Sequence, residues 1–182
     1  MGGLKKFMIA VNKTNIFMGK LMVGVLLLAV TVITFEVVMR YLFNRPTNWG
    51  HETMTLLFAI FYCASAGYAH YFRAHVRVDV FYASRPERTK AILELINFPF
   101  FILFAIVFTY TSWNFYWSSQ TMMAGAKIFG IEIPGELSFT DWQSPYYAIK
   151  FMMPFGGALL ILQGVVWLIH DIHMAVTGRP MK

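Results

Sequence analysis

Charged residues are scarce in this chain. Asp, Glu, Lys and Arg make up 13% of the 182 residues, whereas hydrophobic residues make up 58%. Soluble domains carry about a quarter of charged residues. The composition therefore excludes a soluble domain and predicts an integral membrane protein. In such a protein the net charge of +6 indicates basic cytoplasmic loops, and we expect no nucleic-acid partner.

Cysteine is almost absent. The single Cys63 lies in an apolar run, which excludes an intramolecular disulfide and a cysteine metal site. We interpret it as a buried thiol that packs like a small hydrophobic side chain. The beginning of the chain, MGGLKKFMIA, lacks a separate apolar region with a small-residue cleavage site. We therefore expect an uncleaved chain that its own helices hold in the membrane.

Catalytic motifs are also lacking. The sequence contains no HExxH, no P-loop and no GxSxG, the patterns that zinc proteases, phosphate-binding enzymes and serine hydrolases use. The run His75-Val76-Arg77-Val78-Asp79 contains acid–base side chains, but we interpret it as a charged loop at the membrane surface. We expect neither an enzyme nor a cofactor site in this chain.

Long apolar runs dominate what is present. A helix needs about 20 apolar residues to cross the hydrocarbon core. Four approximate spans satisfy this requirement, at residues 16–43, 52–72, 86–118 and 146–169. They predict an all-α integral membrane protein with a single domain over residues 1–182. The third span would be roughly 50 Å long, so we expect it to tilt, protrude or bend, with Pro99 as the natural bend.

The basic residues predict the orientation. Eleven of the 15 Lys and Arg residues lie on the side that holds both termini, and positive charge concentrates in the cytoplasm. We therefore expect both termini in the cytoplasm and the 121–143 loop outside. The eleven are Lys5, Lys6, Lys13, Lys20, Arg73, Arg77, Arg85, Arg88, Lys90, Arg179 and Lys182.

Small and polar residues mark the helix faces that pack on protein. In the second span they recur at spacings of three and four and include Ala59 and Gly67. Small residues let membrane helices approach closely, and polar ones bond across them. In the fourth span, Pro154 and Gly156 predict a kink, and Gln163 indicates a face that packs on protein.

Several charges sit where lipid would exclude them. Glu36 and Arg40 are four residues apart and share a helix face, with Glu in the favourable N-terminal position. Glu52 opens the second span, where an acid suits the helix dipole. We expect Arg40 to bridge Glu36 and Glu52 and so to pin the first helical hairpin. The alternative is that these groups face a partner protein.

The histidines leave two further interpretations open. His70 and His75 lie near the end of the second span, and His170 and His173 near the end of the fourth. Histidines on facing helices can hold haem. The chain is then a haem-bearing membrane subunit of an oxidoreductase. A stand-alone small membrane channel is the other alternative.

Taken together, the motifs resemble the small membrane subunit of TRAP transporters, the tripartite ATP-independent periplasmic uptake systems. The resemblance covers roughly residues 15 to 170. It departs from the family pattern at Gly50-His51, where a second acid often precedes the residue matching Glu52. The matching residues are Glu36, Arg40, Tyr41 and Phe43, then Asn44-Arg45-Pro46, Trp49 and Glu52, then His75–Asp79, Ile131–Pro134, Pro154 and Gly156.

The resemblance implies a division of labour in a bacterial or archaeal inner membrane. A large multi-span subunit carries the substrate and sodium sites, and a periplasmic binding protein captures the substrate, an organic acid anion. The small subunit packs beside the large one and helps to hold its scaffold in the lipid. Residues of this chain with a structural or partner-contact role would be Glu36, Arg40, Arg45, Trp49, Glu52, Ala59, Gly67, His75, Arg77, Asp79, Pro154, Gly156 and Gln163.

Overall fold

Helices account for nearly all of the structure. The computed structural model describes residues 2–74, 85–122, 127–128, 131–132 and 135–178. Apart from helices, the described residues include one short antiparallel strand pair, in which Lys127–Ile128 pairs with Ile131–Glu132. The elements, in chain order, are α1 (Gly2–Tyr41), α2 (Gly50–Ala64), α3 (Ala66–Tyr71), α4 (Glu87–Thr121), β1 (Lys127–Ile128), β2 (Ile131–Glu132), α5 (Tyr146–Lys150) and α6 (Met152–Thr177).

Three helical units in the described residues are long and apolar enough to cross a membrane: α1, α4 and the Tyr146–Thr177 unit of α5 and α6. The second predicted span is instead divided into α2 and α3 at Ser65. Backbone hydrogen bonds continue through the division, because Ser65 N–H donates to Phe61 and Ala69 N–H donates to Ser65, at 3.0 and 2.9 Å. The two helices therefore follow one another along one path.

Helix α1 is longer than the apolar run that predicted it. It begins at Gly2 rather than at residue 16 and contains 40 residues, a length of about 60 Å. Hydropathy marks where a helix enters lipid, whereas helix propagation beyond that point costs little once the first turns exist. The helix ends at Tyr41, and Asn44 then adopts a left-handed conformation with φ of 52°, which Asn tolerates better than most residues.

The fourth predicted span breaks near its proline. Residue Phe151 separates α5 from α6, three residues before Pro154. A proline has no N–H for the carbonyl four residues earlier, and its ring clashes with that carbonyl, which here belongs to Lys150. The expected kink is thus a short interruption on the N-terminal side of Pro154. By contrast, Pro99 lies inside an α4 that runs unbroken from Glu87 to Thr121.

Helix α6 is the centre of the bundle and packs against all five other helices. Within the apolar windows, 44% of the α5–α6 unit is buried, against 17% of α1 and 11% of α4. Helices α1 and α4 lie on different sides of α6 and share no substantial contact with each other in the described chain. Both therefore turn wide apolar faces away from the protein.

Two glycines that the sequence singled out allow close helix contacts. A Cβ added at Gly156 would lie 2.1 Å from the Cys63 carbonyl oxygen, and one at Gly67 would lie 2.3 Å from Asn15 Oδ1. Gly67, Gly156 and Pro154 are buried, whereas Ala59 is only half-buried. The small-residue face therefore makes its close contacts around the junction of α2 and α3, at Cys63 and Gly67, rather than at Ala59.

We predict that Gly156→Ala lowers the thermal unfolding temperature of the detergent-solubilised protein. The added methyl meets a backbone oxygen that cannot rotate away, and overpacking of this kind costs about 1–3 kcal/mol. The matched control is Gly24→Ala, because a Cβ at Gly24 has nothing within 4 Å. Equal unfolding temperatures for the two variants would contradict the assigned α2–α6 contact.

Candidate partner interface

The first polar cluster lies around Glu36, at the end of the bundle formed by residues 36–52 and 135–150, which we call the loop end. Glu36 is 6% exposed. Its carboxylate accepts hydrogen bonds from Arg40 Nη2 at 3.0 Å, from the backbone N–H of Thr47 at 3.3 Å and from the Thr47 hydroxyl. A side chain at Gly50 would collide with Glu36 Oε2 at 2.6 Å. Glycine at position 50 therefore leaves the space that the carboxylate occupies.

The second cluster surrounds Glu52, which is 7% exposed. The Ser144 hydroxyl donates to Glu52 Oε1 at 2.5 Å, and the Thr140 hydroxyl donates to Oε2. Ser138 lies 2.9 Å from the Thr140 hydroxyl, and its backbone N–H donates to the Ser144 carbonyl at 2.9 Å. A single carboxylate on α2 thus organises the 138–144 segment.

The expected bridge from Arg40 to Glu52 does not form. Arg40 pairs with Glu36, but both carboxylate oxygens of Glu52 accept from hydroxyl groups of the 138–144 segment. Hydroxyls can satisfy a carboxylate without a second buried charge, and they carry a smaller desolvation cost than an arginine. The first hairpin is pinned by Thr47 on the loop instead.

A third cluster fastens Glu136, which lies just before the 138–144 segment, to α4 and α5. The Glu136 carboxylate accepts from the Ser119 hydroxyl at 2.7 Å and from the Lys150 ammonium. The hydrogen bond from Lys150, with a further one from Ser119, holds the pKa of Glu136 below its ordinary value of 4.5. Lys150 Nζ also lies 4.0 Å from the centre of the Phe115 ring, a cation–π contact.

The other loop-end residues that the sequence predicted to contact a partner are more exposed than Glu36 and Glu52. Arg45 is exposed, and Trp49 is exposed but stacks on Phe35 with ring centres 6.0 Å apart. These two side chains are accessible to lipid headgroups or to a partner. The candidates His75, Arg77 and Asp79 lie outside the described residues.

At the other end, which we call the terminal end because residues 2 and 178 lie there, amides form a buried chain. Gln163 and Asn15 are both 0% exposed. Asn15 Nδ2 donates to Gln163 Oε1 at 2.7 Å, and Gln163 Nε2 donates to Asn12 Oδ1 at 3.1 Å. Gln163, predicted to face protein, thus joins α6 to α1.

An ion pair at the terminal end was not predicted. Arg73 Nη2 donates to the buried Asp171 at 2.6 Å, and the guanidinium lies 3.9 Å from the centre of the Trp167 ring. Trp167 Nε1 in turn donates to the His70 carbonyl at 3.0 Å. The available signal was an acid, Asp171, just beyond an apolar run, but nothing in the sequence indicated that Arg73, 98 residues earlier, was its partner.

The three described histidines of the haem interpretation contact other protein groups. The His70 ring stacks on Phe101 with centres 4.7 Å apart, His170 Nδ1 lies 3.1 Å from Asp171 Oδ1, and His173 Nδ1 lies 3.3 Å from the Thr177 hydroxyl. Within the described ranges no three His, Cys, Asp or Glu side chains gather in a way that suits a metal ion. These contacts give the haem alternative no support.

The exposed faces of α1 and α4 are wide apolar surfaces without a neighbour among the described residues. They present bulky apolar side chains, among them Leu27 and Leu28 on α1 and Leu103, Phe104 and Val107 on α4. Exposed apolar patches of this extent mark contact with lipid or with another membrane protein. The fold and its polar ends thus define a multi-pass membrane protein that exposes apolar helix faces.

Comparison with known proteins identifies the family. The protein-family model described as "Tripartite ATP-independent periplasmic transporters, DctQ component" matches residues 29–174. The C4-dicarboxylate TRAP transporter small permease protein DctQ of Vibrio cholerae serotype O1 is 30% identical over 142 residues, which cover 72% of this chain and 61% of that relative. No solved structure matches the chain. The chain therefore belongs to the DctQ component family of TRAP transporters and is a transporter component, not an enzyme.

We predict that Glu52→Gln loosens the 138–144 segment. Hydrogen bonds to a charged group contribute about 1.5–3 kcal/mol each. We therefore expect exchange of the Ser138 amide hydrogen, which bonds to the Ser144 carbonyl, to accelerate by roughly ten- to a hundredfold. Asp141→Asn is the matched control, because Asp141 is an exposed acid of the same segment. Unchanged exchange in Glu52→Gln would show that Glu52 does not hold the segment.

We also predict an acid-dependent contribution from Glu136. Because its pKa in the folded protein lies below 4.5, the carboxylate contributes stability above that value and loses it as the pH falls through the lowered pKa. The stability difference between the wild type and Glu136→Gln should therefore be present at neutral pH and shrink in acid. Asp141→Asn, which removes an exposed carboxylate close to Glu136 in the chain, is the control variant. A constant difference for Glu136→Gln would contradict the assignment.

Proposed function

We propose that this chain is the small scaffolding subunit of a sodium-driven, binding-protein-dependent secondary transporter that takes up organic acid anions. It packs against and stabilises a large transport subunit in the inner membrane. The observation that carries this proposal is the family match over residues 29–174. It is supported by the exposed apolar faces of α1 and α4, which offer two places for a membrane partner.

A four-span arrangement belongs to the same proposal. Residues 50–71, which form α2 and α3, have a path of roughly 33 Å, enough for a hydrocarbon core of about 30 Å. With α1, α4 and the α5–α6 unit they give an even number of crossings. Both termini then lie on one side, and the basic residues assign that side to the cytoplasm. The loop end accordingly faces the periplasm.

The proposed division of labour follows from what the described residues offer. Many of their buried polar groups bond to one another at the two ends of the bundle, as in the Glu52–Ser144 and Asn15–Gln163 pairs, although Asn15 Oδ1 accepts no hydrogen bond from the described residues. We therefore assign the substrate and sodium sites to the large subunit, and no cofactor to this chain. The relative from Vibrio cholerae is named for C4-dicarboxylates; here we propose only the broader class of organic acid anions.

The loop end is the surface that we assign to a periplasmic binding protein. Phe139 is fully exposed and Trp142 is also exposed, yet the segment that carries them is fixed by Glu52 and Glu136. A fixed loop with exposed aromatic side chains binds a partner with little loss of conformational entropy.

Co-purification tests the proposal directly. A tagged copy is isolated from its native membrane in mild detergent, and the proteins that remain bound are identified by mass spectrometry. We expect one multi-span membrane subunit in stoichiometric amount, and deletion of the gene for this chain should abolish uptake of an organic acid anion. An unrelated tagged membrane protein is the control. A chain that is isolated alone, or with redox subunits, would overturn the proposal.

A further inference from the structure

A cavity at the terminal end combines polar donors with apolar walls. Its volume is about 490 Å³, and it lies between α1, α3 and α6. It is lined by Met8, Asn12, Tyr71, Arg73, Gln163 and His170, among others. We propose that this cavity binds the phosphate group of an anionic phospholipid.

Two of the side chains that line the cavity have hydrogen-bond donors available. Asn12 Oδ1 already accepts from Gln163, and Asp171 accepts from Arg73. The amide NH₂ of Asn12 and the other N–H groups of the Arg73 guanidinium have no hydrogen-bond partner among the residues that the structure describes. A guanidinium with free N–H groups beside an amide donor suits the oxygens of a phosphate.

The backbone at Arg73 is unusual for an arginine. Its φ is +51°, and its N–H donates to the His70 carbonyl while the N–H of Ala74 donates to Ala69, both at 3.0 Å. This pair of bonds is the Schellman ending of a helix, at which the left-handed position usually belongs to glycine. Helix α6 does end with a glycine, Gly178, at φ of 66°.

The arginine side chain at this position is well fixed. Its guanidinium is held between Asp171 at 2.6 Å and the Trp167 ring at 3.9 Å, and the side chain keeps 24% of its surface exposed. The guanidinium is therefore oriented before a ligand binds, and this reduces the conformational entropy that is lost on binding.

The position of the cavity fits a lipid headgroup. Along the α5–α6 unit, His170 lies twenty residues beyond Lys150, a path of roughly 30 Å, which equals the thickness of the hydrocarbon core. The cavity is therefore level with the headgroups at the terminal end.

The surroundings of the cavity favour an anionic lipid. Exposed Lys5 and Lys13 lie on the same helix as Asn12, and each basic residue near a membrane surface favours anionic lipid. Phe72, 58% exposed, offers an apolar surface beside the cavity for an acyl chain.

The most informative variant is Asn12→Asp, which we expect to keep the fold while it replaces a hydrogen-bond donor with a negatively charged acceptor. In Asn12→Asp a carboxylate oxygen still accepts from Gln163, but the NH₂ group is replaced by a negative oxygen. Removal of Arg73 is less informative, because it leaves Asp171 buried without its partner. Thr14→Asp is the matched control, since it adds the same charge to an exposed position two residues along α1.

The experiment measures binding of dihexanoyl phosphatidylglycerol to the purified full-length protein, with any membrane subunit that co-purifies, by its effect on thermal unfolding. We expect saturable stabilisation, weaker effects from dihexanoyl phosphatidylcholine and from inorganic phosphate, and a dissociation constant raised roughly tenfold in Asn12→Asp but little changed in Thr14→Asp.

Three results would overturn the inference. Equal binding of inorganic phosphate would indicate a site for free phosphate, equal binding of the two lipids would remove the preference for an anion, and equal weakening in the two variants would indicate only general electrostatics. The inference does not depend on the transport role, so a failed co-purification would leave it standing.

Discussion

The exclusion of polar groups from hydrocarbon is the constraint on which this structure depends. Charged and amide side chains gather in two layers, represented on α1 by Asn15 and Glu36. These residues are twenty-one positions apart, or roughly 31 Å along a helix, close to the thickness of a hydrocarbon core. Between the layers the helices meet through small and apolar side chains, as at Gly156 and Cys63. The polar contacts thus fix the ends of the bundle and leave its middle to close packing.

This separation explains why helix α6 is central. Without a hydrophobic driving force between helices in lipid, association relies on close van der Waals contact and on bonds between polar groups. Helix α6 supplies both: its glycines admit neighbouring backbones and rings, and Gln163 and Asp171 bond to α1 and to Arg73. Helices α1 and α4 contribute one face each to this centre, and their other faces stay apolar and exposed.

Local features of the structure could be predicted from the sequence, and distant ones could not. The Glu36–Arg40 pair follows from a spacing of four on one helix, and the apolar runs located α1, α4 and the α5–α6 unit. The partners of Glu52 and Asp171 lie 92 and 98 residues away, and no periodicity links such positions. The start of α1 was missed for another reason: hydropathy reports the lipid boundary, whereas the helix continues beyond it.

The long-range bonds also bear on what such a subunit can do. Glu52 joins α2 to the segment before α5, Gln163 joins α6 to α1, and Arg73 joins the end of α3 to α6. Each bond ties an early element to a late one, so the first hairpin cannot move relative to the last helix without breaking buried polar contacts, which is costly in a low-dielectric interior. We expect a bundle closed in this way at both ends to move as one body. That property suits a subunit whose proposed task is to keep a partner's scaffold still while the partner's own elements move.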